Sequence, residues 1–169
     1  EEFIENNLNI SSIIDSPIGT NRFGKIIDKC SHIKSLIGID YSSDMLNFAK
    51  SKKTGKLILN KIDIINNKCH FNADLILIIR MLNLFETKIS LQILDNLLPA
   101  ASKYCIATLR YDDSYSIIEN KIHIHPLNEF EKKINSHGFD FLIHDFEDER
   151  NGNFSIILMV KKNRTLRSL

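Results

Sequence analysis

The sequence predicts an α/β fold with a mostly parallel sheet, finished at its carboxyl end by an antiparallel hairpin. Three stretches carry that prediction. Ile13 to Asp40 reads as strand, tight turn, helix and strand, the unit from which parallel sheets are built. Leu75 to Ile79 is a run apolar on both faces, which suits a central strand covered by helices on each side. Near the carboxyl end, Asn151-Gly152 lies between two strand-like runs and offers a type I′ hairpin turn.

Taken in order, Phe3, Ile4 and Leu8 mark a short amphipathic stretch within residues 1–10, expected as a helical turn or two over the sheet. Ser12 to Ile14 is the first strand and ends at Asp15. After the turn Pro17-Ile18-Gly19-Thr20-Asn21, the apolar residues Phe23, Ile26, Ile27 and Cys30 fall on one helical stripe. Leu36 to Ile39 is the second strand, ending at Asp40. The next helix is capped by Ser42 or Ser43, carries Asp44 at the positive end of its dipole, and is expected to turn Met45, Leu46 and Ala49 inward. Lys56 to Ile62 is a third strand ending at Asp63, and residues 74–80 make the fourth. Thr87 is expected to cap the following helix, whose stripe is Ile89, Ile93, Leu94 and Leu97 before Pro99. Tyr104 to Leu109 is the fifth strand. Ser114 to His125 reads as a partly extended insertion, and residues 111–125 as a loop suited to substrate contact. Pro126 then opens a helix with Leu127, Phe130 and Ile134 inward and Gly138 at its end. The hairpin strands are Phe139 to Phe146 and Phe154 to Val160, and residues 163–169 are expected to fray.

The balance of the chain narrows the classes of function. Hydrophobic residues at 43% beside charged residues at 25% describe a folded domain, and 169 residues suffice for one core, so residues 1–169 are read as a single domain. A net charge of +1 with Lys interleaved among Asp and Glu leaves no electrostatic footprint for a nucleic-acid backbone. Cys30, Cys69 and Cys105 are odd in number and far apart, which points to a reducing, cytoplasmic setting and away from a zinc or disulfide framework. No apolar run is long enough to span a bilayer, so no membrane partner is expected. The chain opens on Glu1 rather than Met, so a longer parent chain or a protein partner is an expectation too.

The chemistry is expected at the carboxyl ends of the strands. N–H groups exposed where a strand passes into a helix are donors for an anionic or zwitterionic ligand. Gly19 has no Cβ and so permits both positive φ and close approach to the main chain. Asp40, about 20 residues on at the next strand tip, stands where such folds bind ribose hydroxyls. A purely structural βαβ turn accounts for these residues equally well.

Two longer motifs favour a ligand. Ile13-Ile14-Asp15-Ser16-Pro17-Ile18-Gly19-Thr20-Asn21-Arg22-Phe23 resembles the glycine-rich first motif of class I S-adenosylmethionine-dependent methyltransferases in its D-x-P-x-G-T-G-R form. Ile37-Gly38-Ile39-Asp40-Tyr41-Ser42-Ser43-Asp44-Met45-Leu46 is similar to the second, V-G-x-D-x-S-x-x-M-L, and is the more specific match. Asp63, the Ala73-Asp74-Leu75-Ile76 strand and the Gly138-Phe139 step extend the resemblance from Ser11 to Lys162. It implies a three-layer αβα sandwich whose seven-stranded sheet has the order 3-2-1-4-5-7-6.

The resemblance also implies S-adenosyl-L-methionine as cofactor. Asp15, Pro17, Ile18, Gly19, Thr20 and Asn21 would hold its methionine end, and Asp40 would accept from both ribose hydroxyls. Tyr41 and Met45 would pack on the adenine, and Asp63 with the Ile64 amide would read its edge. Arg80 and Met81 would lie beside the sulfonium. One departure stands out: position 21, usually glycine in this family, is Asn21. Asn tolerates the left-handed backbone the turn needs, and its side chain is expected close to the cofactor.

No single base emerges. Asn83, Tyr111, Asp112, His123 and His125 lie near strand tips, but His123 and His125 alternate with Ile122 and Ile124 and are expected to share a solvent face. The absence of Asn-Pro-Pro-Tyr after the fourth strand, where Arg80-Met81-Leu82-Asn83 stands, argues against the amino-methylating DNA and protein-glutamine branches. The reading is therefore methyl transfer to a small-molecule acceptor. The alternative is a non-catalytic module that keeps the fold for binding or scaffolding. A nicotinamide oxidoreductase is disfavoured because G-x-G-x-x-G is absent.

Overall fold

The computed structural model describes residues 2–52, 54–112, 117–119, 122–146 and 154–162. The Asn151-Gly152 turn and the 163–169 tail lie outside them. Seven strands form one sheet: β1 (Ser12–Asp15), β2 (Ser35–Asp40), β3 (Leu57–Lys61), β4 (Ala73–Ile78), β5 (Ala101–Leu109), β9 (Phe139–Phe146) and β10 (Phe154–Lys161). Their order is β3-β2-β1-β4-β5-β10-β9. All neighbours are parallel except β10, which runs antiparallel to both β5 and β9. The expected 7-6 ending becomes β10-β9 because three short strands intervene: β6 (Tyr111–Asp112), β7 (Ile117–Glu119) and β8 (Ile122–Pro126), which pair into a second small sheet.

The alternation of side chains on the central strands makes two cores. Ile13, Leu36, Leu75 and Leu77 point to one face and meet Ile4 of α1 (Glu2–Asn6) and Ile27 of α2 (Gly24–Lys29). Ile14, Ile76, Ile78, Cys105 and Ala107 point to the other. There they meet Ile93, Leu94 and Leu97 of α4 (Thr87–Leu97) and Phe130 and Ile134 of α5 (Leu127–Ser136). All six residues of β4 are buried, as its two-sided apolar run requires. α3 (Ser43–Ser51) packs on the β2 and β3 edge. Among the described residues no helix is long and apolar enough to cross a membrane.

Several local expectations are corrected. Leu8 is 76% exposed, and Phe3 instead packs edge-on against Tyr104 with ring centroids 5.4 Å apart. Ser42 caps α3, its Oγ accepting from the Met45 N–H, but Met45 is 43% exposed and only Ala49 is fully buried. The reason is that α3 covers an edge of the sheet and so has only a narrow inner face. Thr87 does not cap α4. Glu86 holds the cap position without a side-chain bond, and the Thr87 hydroxyl is paired with His125 Nδ1 at 3.1 Å. His125 is fully buried rather than on a solvent face, because β8 is clamped beneath the loop after β4.

At the amino ends of the strands, Asp74 ties three of them together. Its carboxylate accepts from the Ser11 N–H and Oγ, both at 2.8 Å, from Ser102 Oγ at 3.1 Å and from Lys103 Nζ at 2.8 Å. Burial pushes this carboxyl up, but the Lys103 ammonium and the Ser11 donors outweigh burial and hold it far below the usual carboxylate range.

Candidate cofactor site

At the opposite, carboxyl ends of β1 and β2, the turn from Ser16 to Phe23 is built around two left-handed residues, Gly19 at φ 49° and Asn21 at φ 53°. The Ile18 N–H donates to the Ile39 carbonyl at 2.8 Å, the Gly19 N–H to Asp40 Oδ2 at 3.1 Å and the Asn21 N–H to the Ile18 carbonyl at 2.9 Å. Fewer amides are therefore open to a ligand than the sequence implies; Thr20, exposed at the turn's tip, keeps an N–H without a partner among the described residues.

Asn21 does not reach toward the strand tips. It is 5% exposed, its Nδ2 donates to Thr54 Oγ1 at 2.7 Å, and its amide occupies the space above Gly24. A Cβ at position 24 would come within 2.4 Å of Asn21 Oδ1 and 2.6 Å of Thr54 Oγ1. Gly24 is thus what admits the larger residue at position 21. Nothing in the sequence flags this pairing, because Thr54 arrives from the far side of α3.

Asp40 sits at the tip of β2 with both oxygens oriented by backbone: Oδ2 takes the Gly19 N–H at 3.1 Å and Oδ1 the Ser42 N–H at 2.9 Å. Each oxygen retains acceptor capacity. Beside it, Tyr41 is 70% exposed, with the Lys61 ammonium 6.0 Å from its ring centroid, and Met45 is also open. Asp63 follows β3 and uses its side chain on its own loop, accepting from the Ile65 N–H at 3.1 Å and Asn66 Nδ2 at 2.8 Å. The Ile64 side chain is buried while its N–H has no partner among the described residues.

Asp15, at the tip of β1, is 2% exposed, and no donor bonds its carboxyl among the described residues. Burial raises this carboxyl well above its ordinary range; the Arg22 guanidinium opposes the shift and the Asp40 charge adds to it. Pro17 is half-buried and joined to Ser16 by a cis peptide bond. Past β4, Arg80 is exposed and left-handed at φ 59°, with its N–H on Thr108 Oγ1 at 2.7 Å. Met81 is buried in the core, so its side chain faces away from solvent.

Among the residues considered as bases, three are occupied structurally. Asn83 Oδ1 accepts from the Arg110 N–H at 3.0 Å, and its Nδ2 donates to the Arg110 and His123 carbonyls at 3.2 and 2.6 Å. The Tyr111 hydroxyl donates to Asp145 at 3.2 Å. Nε2 of His125 donates to the Leu82 carbonyl at 3.1 Å, which makes Nδ1 the acceptor for Thr87. Burial lowers the His125 ring to about 4; the Leu82 bond raises it and the His123 ring lowers it further.

That geometry sets a pH dependence. Unfolded chains take up the His125 proton near its ordinary pKa of about 6.5, whereas the folded ring resists to about 4, so stability falls as pH drops through that window. Urea unfolding is expected to show about 2 kcal/mol less stability near pH 5 than near pH 7. In His125→Gln that portion of the slope disappears.

The same arrangement of strands recurs in solved structures. Magnesium protoporphyrin IX methyltransferase from Synechocystis PCC 6803, solved with bound SAM, superposes with a TM-score of 0.72 over 92% of this chain and 72% of its own, at 14% identity. The O-methyltransferase of a trans-AT PKS multienzyme from Brevibacillus brevis, in complex with S-adenosyl-L-homocysteine, gives 0.74 over 95% and 69%, at 12% identity. This is the class I methyltransferase fold. DhpI, in its complex with SAH, matches it as well, with a TM-score of 0.71 over 96% of this chain and 82% of its own, at 10% identity. No family model and no curated protein matches the sequence. At 10–14% identity, the likeness to these structures is one of fold.

Proposed function

We propose that the chain binds S-adenosyl-L-methionine across the tips of β1, β2 and β3 and transfers its methyl group to a small molecule. The observation that carries this reading is Asp40, a carboxylate aimed by two backbone N–H groups and flanked by the open Tyr41 and Met45. A ribose diol fits its free acceptor positions, and an adenine fits between the two apolar side chains. Asp15 is a buried acid with no donor among the described residues, and an ammonium group brings donors to it. The Thr20 amide is left for a carboxylate, and the Ile64 amide with Asp63 for the adenine edge.

When bound, the cofactor supplies a methyl carbon that an acceptor lone pair attacks in line as the carbon–sulfur bond breaks and the sulfonium becomes a thioether. The chain's part is to hold acceptor and methyl in line and to exclude water. The bonding of Asn83 and His125 makes them positioning residues: they fix the loop after β4 and the end of β5 that border the methyl-accepting side.

Calorimetric titration with S-adenosylhomocysteine tests the reading, with NAD as control. Product binding is expected near micromolar, about −8 kcal/mol, and NAD binding is expected to be undetectable. Absence of product binding would overturn the cofactor assignment and leave a methyltransferase fold used for another purpose.

A further inference from the structure

Bordered by Arg22 and Phe23 at the end of the turn, a cavity of about 410 Å³ opens over the α1 side of the sheet. Its volume lies within the range of small-molecule sites, about 300–1,000 Å³. Its floor is apolar: Leu77 of β4, Ile106 of β5 and Ile156 of β10 face it because alternate residues of those neighbouring strands share that side. Around it stand three arginines, Arg22, Arg80 and Arg110. Each follows the carboxyl end of one of three adjacent strands, β1, β4 and β5, so the strand order is what gathers them.

The described lining carries positive charge and no negative charge. Among the described residues no carboxylate lines the cavity, and none of the three guanidinium groups makes an ion pair or a side-chain hydrogen bond. Among the described residues, the buried Asp15 interacts electrostatically with Arg22. Two of the three are also held in place at the main chain. Arg80 keeps a left-handed backbone, uncommon outside glycine, with its N–H on Thr108; Arg110 has both its N–H and its carbonyl bonded to Asn83. Arginines stay charged at any working pH and present planar forks that match a carboxylate or phosphate.

The geometry points to this cavity as the binding site for an organic acid, an apolar body with an anionic head held by Arg80 and Arg110 with Arg22. That this acid is the methyl acceptor rests on the proposed methyl transfer; that it binds here does not. The head lies at the strand tips, toward the cofactor turn, and the body lies on the strands beneath.

The test titrates the chain with octanoate and phenylacetate, and with octanamide and phenylacetamide as uncharged counterparts, by calorimetry and saturation-transfer NMR, with and without S-adenosylhomocysteine. The acids are expected to bind at least ~10-fold more tightly than the amides. Arg110→Gln is expected to cut acid affinity ~10-fold, leaving S-adenosylhomocysteine affinity and amide binding unchanged, and Arg110→Lys is expected to recover part of the loss. Equal binding of acids and amides, no binding of either acid, or acid affinity indifferent to Arg110→Gln would overturn the inference. Acid binding without S-adenosylhomocysteine binding would instead remove the acceptor role and leave the site; the reverse would remove only the site.

Discussion

Asp40→Ala is expected to weaken S-adenosylhomocysteine binding at least ~100-fold in calorimetry, while the chain stays folded. The carboxylate has two duties there. Its free lone pairs are the proposed acceptors for both ribose hydroxyls, and its bonded ones fix the Gly19 and Ser42 amides on either side. Hydrogen bonds to a charged group contribute about 1.5–3 kcal/mol each, so two ribose bonds alone account for about two decades in affinity. Asp40→Asn keeps one acceptor oxygen and should fall between the two. An Asp40→Ala protein that binds product as tightly as the parent would remove the ribose role.

The second large effect is on stability, far from the site. Asp74→Ala removes four acceptor contacts from the amino ends of β1, β4 and β5 and leaves the Lys103 ammonium half-enclosed without its partner. A cost of about 3–4 kcal/mol is expected, which for a chain of this size lowers Tm by roughly 8–12 °C. Because the folded carboxyl stays ionised well below its ordinary range, its contribution is full above about pH 4 and fades as the solution is acidified further. Parent and variant should therefore converge in acid, and a difference independent of pH would show that packing rather than charge is at stake.

The motif around Asp74 shows how sequence reading divides these roles. In the run Ala73-Asp74-Leu75-Ile76 the aspartate is part of the resemblance to methyltransferases, yet its contacts are all at the end of the sheet remote from the cofactor turn. The carboxylates at strand tips, Asp15, Asp40 and Asp63, were legible because a polar residue after an apolar run marks where a parallel strand ends. Their hydrogen-bond states were not. Gly19 and Ile18 already use their N–H groups within the protein, and the Asn21 amide packs against Gly24 and bonds to Thr54, contacts made by residues up to 33 positions apart. His125 read as an exposed member of an alternating strand, and burial reversed that because Leu82 and Thr87 close over it.

The elements whose signal is local were legible in the residues: period-2 and period-3.6 apolar patterns, the Ser42 cap, Gly138 closing α5, and the carboxylates that end β1 and β2 and follow β3. These follow from backbone geometry, which each short segment obeys wherever it lies. Tertiary structure alone decided which of those groups remain available to a ligand and which side chains meet. The three arginines stand 58 and 30 residues apart in the chain and become neighbours only because β1, β4 and β5 are adjacent in the sheet. Strand order is a property of the whole sheet, and no local pattern encodes it.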